Sequence, residues 1–160
     1  MVLANLKTYL DQQNVHYEVI SHLPAYTAQC IAGLTHTPGK ELAKSVMVKL
    51  DGQLVMAVVP ATFRVDLKLL RDAADAASAV LASEEDFYAR FPDCETGAMP
   101  PFGNLYGMKV YADESLTKDK EITFNAGSHR ELIRMAWHDF ARLVEPRIVR
   151  LAAVTSAQAA

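Results

Sequence analysis

Hydrophobic positions at Leu3, Leu6, Tyr9 and Leu10 recur at helical spacing, which predicts an amphipathic helix from Leu3 to about Gln13. Val15, Tyr17 and Val19 then alternate with polar neighbours as a short strand. After His22-Leu23-Pro24, Thr27 can cap a helix reaching about Leu34, and Pro38-Gly39 punctuates the loop behind it. The clearest pattern comes next. Ala43 to Leu50 and Gln53 to Val59 are apolar, β-branched runs joined by Asp51-Gly52, the pair favoured in a type I′ turn, and together they predict a β-hairpin. Asp66 can cap a helix of about ten residues, and Ser83 followed by Glu84, Glu85 and Asp86 opens another that stops before Pro92. Pro100, Pro101 and Gly103 constrain the following loop. Leu105 to Tyr111 and Glu121 to Asn125 read as strands, Ala126-Gly127-Ser128 as a turn and Glu131 to Met135 as the returning run. A helix around Trp137 to Leu143 ends before Pro146, and Ile148 to Leu151 adds an edge strand.

Strands mixed irregularly with helices, and no repeated βαβ unit, predict an α+β fold with a mixed, curved sheet flanked by helices. With 160 residues, of which 51% are hydrophobic, the chain is long enough to bury a core and short for two ordinary domains. The expectation is one compact domain over residues 1–152 and a disordered tail over 153–160. No apolar run reaches transmembrane length, and MVLANLKTYLDQQ lacks the order of a secretory signal, so no membrane contact and a cytoplasmic location are expected. Cys30 and Cys94 match no metal-ligand spacing and read as reduced, buried thiols.

Charge limits the partners. A net charge of −3 argues against a broad electrostatic footprint for nucleic acid, so any RNA contact has to be local, and no DNA partner is expected. Lys40, Lys44, Lys49, Arg64, Lys68 and Arg71 are the cations a compact fold could gather.

Strand alternation sets Lys44 on the hairpin face of Val46, Val48 and Leu50, with Ser45, Met47 and Lys49 on the other. A lysine at the rim of a core needs a partner for its charge, either a carboxylate in a structural role or an anionic group of a substrate. In Gly97-Ala98-Met99-Pro100-Pro101-Phe102-Gly103 the prolines fix the backbone, and such a loop can aim N–H groups at an oxyanion or be an ordinary turn. Donors would come from the Gly97 to Met99 end or from Phe102 and Gly103, since proline has none to give. Asn125-Ala126-Gly127-Ser128-His129 offers an amide, exposed backbone and an imidazole at a strand end; His129 is open to roles as general base, specificity element or solvated turn residue. The spacing of His22, Cys30 and His36 fits no common zinc pattern, so no metal is expected. Neither a GxSxG elbow nor a phosphate-cradling or dinucleotide fingerprint is present, and no cofactor is expected.

Taken together, AKSVMVKLDG at 43–52, GAMPPFG at 97–103 and FNAGSH at 124–129 resemble the YbaK/prolyl-tRNA synthetase-associated family of aminoacyl-tRNA deacylases, over nearly the whole chain. The resemblance implies a compact α+β fold and hydrolysis of the ester between a noncognate amino acid and the 3′-terminal ribose of tRNA. It implies that Lys44 is the functionally required lysine and that Gly97 and Pro101 end a GxxxP loop whose backbone orients ester and water. Asn125, Ala126, Gly127 and His129 then close the amino-acid pocket together with Ala98, Met99 and Pro100, and His22 and Ser45 fall near it. Gly127-Ser128-His129-Arg130 stands where the cysteine-editing branch carries Gly-Lys-Arg-Gly, which points toward the alanine-editing and synthetase-inserted branches. The expected partner is mischarged tRNA, with an aminoacyl-tRNA synthetase as a second; alanine, serine and threonine remain open as the amino acid removed. A non-catalytic module that binds aminoacyl-tRNA or a protein through the same pocket is the alternative, and a hydrolase of other small aminoacyl esters is a third reading.

Overall fold

The computed structural model describes residues 3–23 and 41–154. The helix expected from Thr27 to Leu34, together with Cys30, His36 and Lys40, lies outside them. Helix α1 (Ala4–Gln12) buries Leu6 and Leu10, as its periodicity predicts. Strand β1 (Tyr17–Ser21) begins two residues later than the alternation at Val15 suggested. The hairpin forms as expected from β2 (Leu42–Leu50) and β3 (Gln53–Pro60), in register from Ala43–Pro60 to Leu50–Gln53. Asp51 and Gly52 both take positive φ, 49° and 84°, the geometry a type I′ turn demands.

Strand β4 (Phe63–Val65) has no clear sequence signal and leads into α2 (Leu67–Ala73). Asp66 caps that helix as predicted, its carboxylate accepting from the backbone N–H groups of Lys68 and Leu69 at 3.0 and 3.1 Å. The helix is shorter than the ten residues expected. Strand β5 (Ala79–Leu81) precedes α3 (Glu84–Phe87), which Ser83 and Asp86 open with a reciprocal capping box. The strand expected from Leu105 splits in two. Gly103–Tyr106 is a 3₁₀ turn ended by left-handed Gly107, and β6 (Lys109–Asp113) follows it. Strands β7 (Glu121–Asn125) and β8 (Glu131–Ala136), helix α4 (Trp137–Val144) and strand β9 (Arg147–Val149) stand close to their expected places. A last strand, β10 (Ala152–Val154), carries regular structure two residues into the stretch expected as a tail.

The main sheet has the order β1-β8-β7-β2-β3-β6-β9, with β5 also paired to β2. It is mixed: β2–β3, β2–β5, β7–β8 and β1–β8 are antiparallel, whereas β2–β7, β3–β6 and β6–β9 are parallel. A separate antiparallel pair joins β4 to β10.

Both faces of the central hairpin are covered, which is why β3 is apolar at nearly every position. One face carries Met47, Met56, Val58 and Phe124 under α1, α4 and the loop at Met99 and Phe102. The other carries Val48, Val55, Ala57 and Val59 under Leu70 of α2 and Leu151. This is the α+β sheet with flanking helices that the pattern predicts. No helix among the described residues is long and apolar enough to cross a membrane.

Candidate functional site

The loop at Gly97 and the turn at Asn125–His129 are stitched to each other. Glu95 N–H donates to the Gly127 carbonyl at 2.8 Å, Gly127 N–H to the Ala98 carbonyl at 3.0 Å, and Ala98 N–H back to the Glu95 carbonyl at 3.0 Å. His129 completes the lock, its ring Nε2 donating to the Thr96 carbonyl at 2.8 Å and its backbone N–H to a Glu95 carboxylate oxygen at 3.3 Å. A carbonyl only accepts, so that ring nitrogen carries the hydrogen. A Cβ on Gly97 would lie 3.5 Å from His129 Cε1, so the loop's backbone rests directly on the imidazole. His129 thus braces the loop from behind.

Ala98, Met99, Pro100 and Pro101 are all buried, which holds the loop rigid while Gly97 stays exposed at its entry. Of the donors expected from this loop, the Ala98 N–H is already spent internally. The N–H groups of Gly97 and Met99 have no hydrogen-bond partner among the described residues.

Gly127 fixes how closely α1 approaches. Its φ is +100°, and a Cβ there would stand 2.5 Å from Leu3 Cγ, while Leu3 N–H donates to the Ala126 carbonyl at 3.2 Å. Gly127→Ala adds left-handed strain to this clash and is expected to cost about 3 kcal/mol. Thermal melts check it, and the added Leu3→Ala substitution should return the steric share, leaving a coupling between the two sites.

Lys44 sits one step beyond the last pair of the parallel β2–β7 ladder, Ala43–Phe124, and so beside Asn125. One edge of β2 pairs with β7 at Leu42–Ala43 and with β5 at Val48–Leu50. Between these, among the described residues, Lys44, Ser45 and Val46 have no strand against them. The Leu42 carbonyl accepts from Ala61 on the β3 side and the Met47 carbonyl from Ala82 on the opposite side. Backbone alternation therefore aims the N–H and C=O of Ser45 into this break.

Ser45 Oγ on β2, Asn125 Oδ1 at the end of β7 and His22 Nε2 just after β1 are buried polar atoms without a hydrogen-bond partner among the described residues. His22 is tied there by its backbone N–H to the Arg130 carbonyl at 2.8 Å. An orphaned buried polar atom costs roughly 1–3 kcal/mol unless something supplies a partner. Each is a group that a polar ligand would satisfy.

Lys44 itself shares the face of Val46, as alternation predicts, and lines a cavity of about 570 Å³ with Val46, Arg64, Val65, Asp66, Leu67, Leu81 and Ala153. It is half-buried and has no carboxylate partner among the described residues; burial alone pulls its pKa below the usual 10.5. Lys44 and the Gly97 loop are not in contact. The loop packs on the Met47 side of the sheet, whereas Lys44 lines a cavity on the Val46 side. Arg64 appeared in the sequence only as one of several cations, and what brings it to this cavity is the pairing of β4 with β10, Arg64 opposite Ala153. Glu95 and Thr96 were not singled out at all, although they directly precede the loop they secure.

Among the described residues no three His, Cys, Asp or Glu side chains cluster as a metal site would. Cys94 is half-buried, and burial raises its thiol pKa, the opposite of an activated nucleophile.

The profile of the aminoacyl-tRNA editing domain matches residues 22–143, a span that contains Lys44, the Gly97 loop and His129. The chain belongs to this family. Among solved structures, the aminoacyl-tRNA editing fold seen here is shared with the hypothetical protein APE2540, at a TM-score of 0.83 and 15% identity over 92% of this chain and 99% of that one. It is shared also with a candidate trans-editing enzyme for prolyl tRNA synthetase, at a TM-score of 0.80 and 21% identity over 92% of this chain and 94% of that one. No curated protein matches the sequence.

Proposed function

We propose that this protein is a trans-editing hydrolase that cleaves the ester linking a wrongly attached amino acid to the 3′-terminal ribose of tRNA, in the cytoplasm. The observation that carries the reading is Lys44, half-buried with no carboxylate partner among the described residues and one register step from Asn125 at a break in the pairing along β2. Family membership and the fold likeness to a candidate trans-editing enzyme support it.

In this reading Lys44 holds negative charge at the nucleotide end of the ester, and Asn125, Ser45 and His22 take up its polar groups. The N–H groups of Gly97 and Met99 stabilise the oxyanion that forms when water adds to the carbonyl. Collapse of that intermediate releases the amino acid and returns the ribose oxygen as a hydroxyl. An aminoacyl ester is already activated, and the adjacent ribose hydroxyl can orient the attacking water, so preorganisation replaces a covalent nucleophile. His129 acts by fixing the loop, with Pro100 and Pro101 keeping it from relaxing onto bound water. Alanine, serine and threonine are the amino acids considered, because one methyl group changes discrimination by only about 1–3 kcal/mol.

A panel of tRNAs mischarged with these amino acids tests the proposal. Release of at least one of them well above the spontaneous rate is the expected result. Binding of the same tRNAs without hydrolysis would replace it with the non-catalytic module.

A further inference from the structure

Apart from Lys44, the residues lining the cavity beside it have no part in the hydrolytic step. Two cations line it, Lys44 half-buried in the wall and Arg64 exposed at the mouth, and neither forms an ion pair with a carboxylate among the described residues. Asp66, the one carboxylate in the lining, has an oxygen committed to the N–H groups that cap α2. The remaining wall is aliphatic: Val46, Val65, Leu67 and Leu81, the last 61% exposed. Its volume of about 570 Å³ is that of a small-molecule site and not of a duplex groove. In a chain of net charge −3, two partnerless cations above an apolar shelf form a local site for one anion joined to a flat apolar body.

Resting on the proposed editing reading, we infer that this cavity seats the nucleotide preceding the esterified adenosine, with Arg64 and Lys44 sharing its phosphodiester and the Leu81 wall supporting its base. Lys44 belongs to both subsites because it stands one register step from Asn125 and also lines this cavity. Arg64 contributes to RNA binding alone. This gives an acidic protein a local grip on a single-stranded 3′ end without a basic surface, and the grip requires the β4–β10 pair to be formed.

The test uses uncharged RNA, so it does not depend on hydrolysis. An RNA minihelix with a four-nucleotide 3′ overhang ending in CCA, and the same stem cut blunt, are titrated at several salt concentrations against the full chain and its Arg64→Ala and Arg64→Lys variants. Arg64 is exposed and outside both cores, so these variants should fold as the wild type does. The expected result is about tenfold weaker overhang binding by Arg64→Ala, a salt slope smaller by about one, and recovery of that slope in Arg64→Lys. The blunt stem should bind weakly and ignore the substitution. Unchanged overhang binding by Arg64→Ala, or an equal loss on the blunt stem, would overturn the inference. Equally tight, Arg64-dependent binding of cytidine monophosphate would also overturn it, by assigning the cavity to a free nucleotide. If Arg64-dependent overhang binding holds while no mischarged tRNA is hydrolysed, the editing reading fails and the RNA-end site stands.

Discussion

Lys44→Ala is expected to lower kcat/KM for a mischarged tRNA by about 100- to 1,000-fold, the range found when one preorganised charge-stabilising group is removed from a water-excluded site. The same substitution should not destabilise the fold. The ammonium has no ion-pair partner among the described residues, and burial holds its pKa below 10.5, so the folded state pays for the charge without an internal return. The sign follows from proton counting. Between the depressed folded pKa and 10.5 the unfolded chain binds more protons than the native one, so wild-type stability rises with pH across that window. Below the folded value the penalty is fully present. Lys44→Met, which keeps the aliphatic stem beside Val46, should therefore match or exceed wild-type stability at neutral pH and lose the alkaline rise. Denaturant melts at neutral and alkaline pH, run beside deacylation assays, separate the two effects. Wild-type deacylation by Lys44→Ala would remove the lysine from the mechanism, and a lower melting temperature for Lys44→Met would mean that the charge has a structural role.

The parts of this molecule that were legible in its sequence are those whose cause is local. Asp51-Gly52 dictates its turn through backbone dihedrals, Asp66 and Ser83 announce helix starts through their own side chains, and alternation along β2 assigns Lys44 its face. Strands β4, β5 and β10 escaped because each exists by virtue of a distant partner. The site divides the same way. The Gly97 loop and the Asn125 turn could be named from their residues, but their stitching through Glu95 and Thr96 depends on long-range backbone bonds. That the Ala98 N–H is spent while those of Gly97 and Met99 have no partner among the described residues follows only from that stitching. Arg64 is the sharpest case. Nothing near it in sequence distinguishes it from Lys68 or Arg71, and only its register with Ala153 brings it beside Lys44.

That register depends on Asp113, and Asp113→Ala is expected to be the most destabilising single change considered, at roughly 3–5 kcal/mol. The residue ends β6 with 4% exposure, and its carboxylate gathers four donors. The N–H groups of Leu151 and Ala152 reach one oxygen at 2.9 Å each, and the Ser115 N–H reaches the other at 3.1 Å with the Ser115 hydroxyl beside it. Leu151 and Ala152 are where the chain leaves β9 and enters β10, so the carboxylate pins the strand that pairs with β4. Removing it strands buried donors and frees that segment together. At about 2–4 °C per kcal/mol for a chain of this size, the melting temperature should fall by about 10 °C. Asp113→Asn is informative because it keeps one acceptor oxygen but turns an NH₂ toward groups that also donate, so it should recover less than half of the loss. Its effect on activity should be selective. With β10 loosened, Arg64 and Ala153 no longer hold one edge of the cavity, so KM for tRNA should rise while kcat, which depends on Lys44 and the braced loop, changes little. Equal losses in kcat and KM would mean that Asp113 supports the hydrolytic site as well, and an unchanged melting temperature would mean that β10 holds its place without the carboxylate.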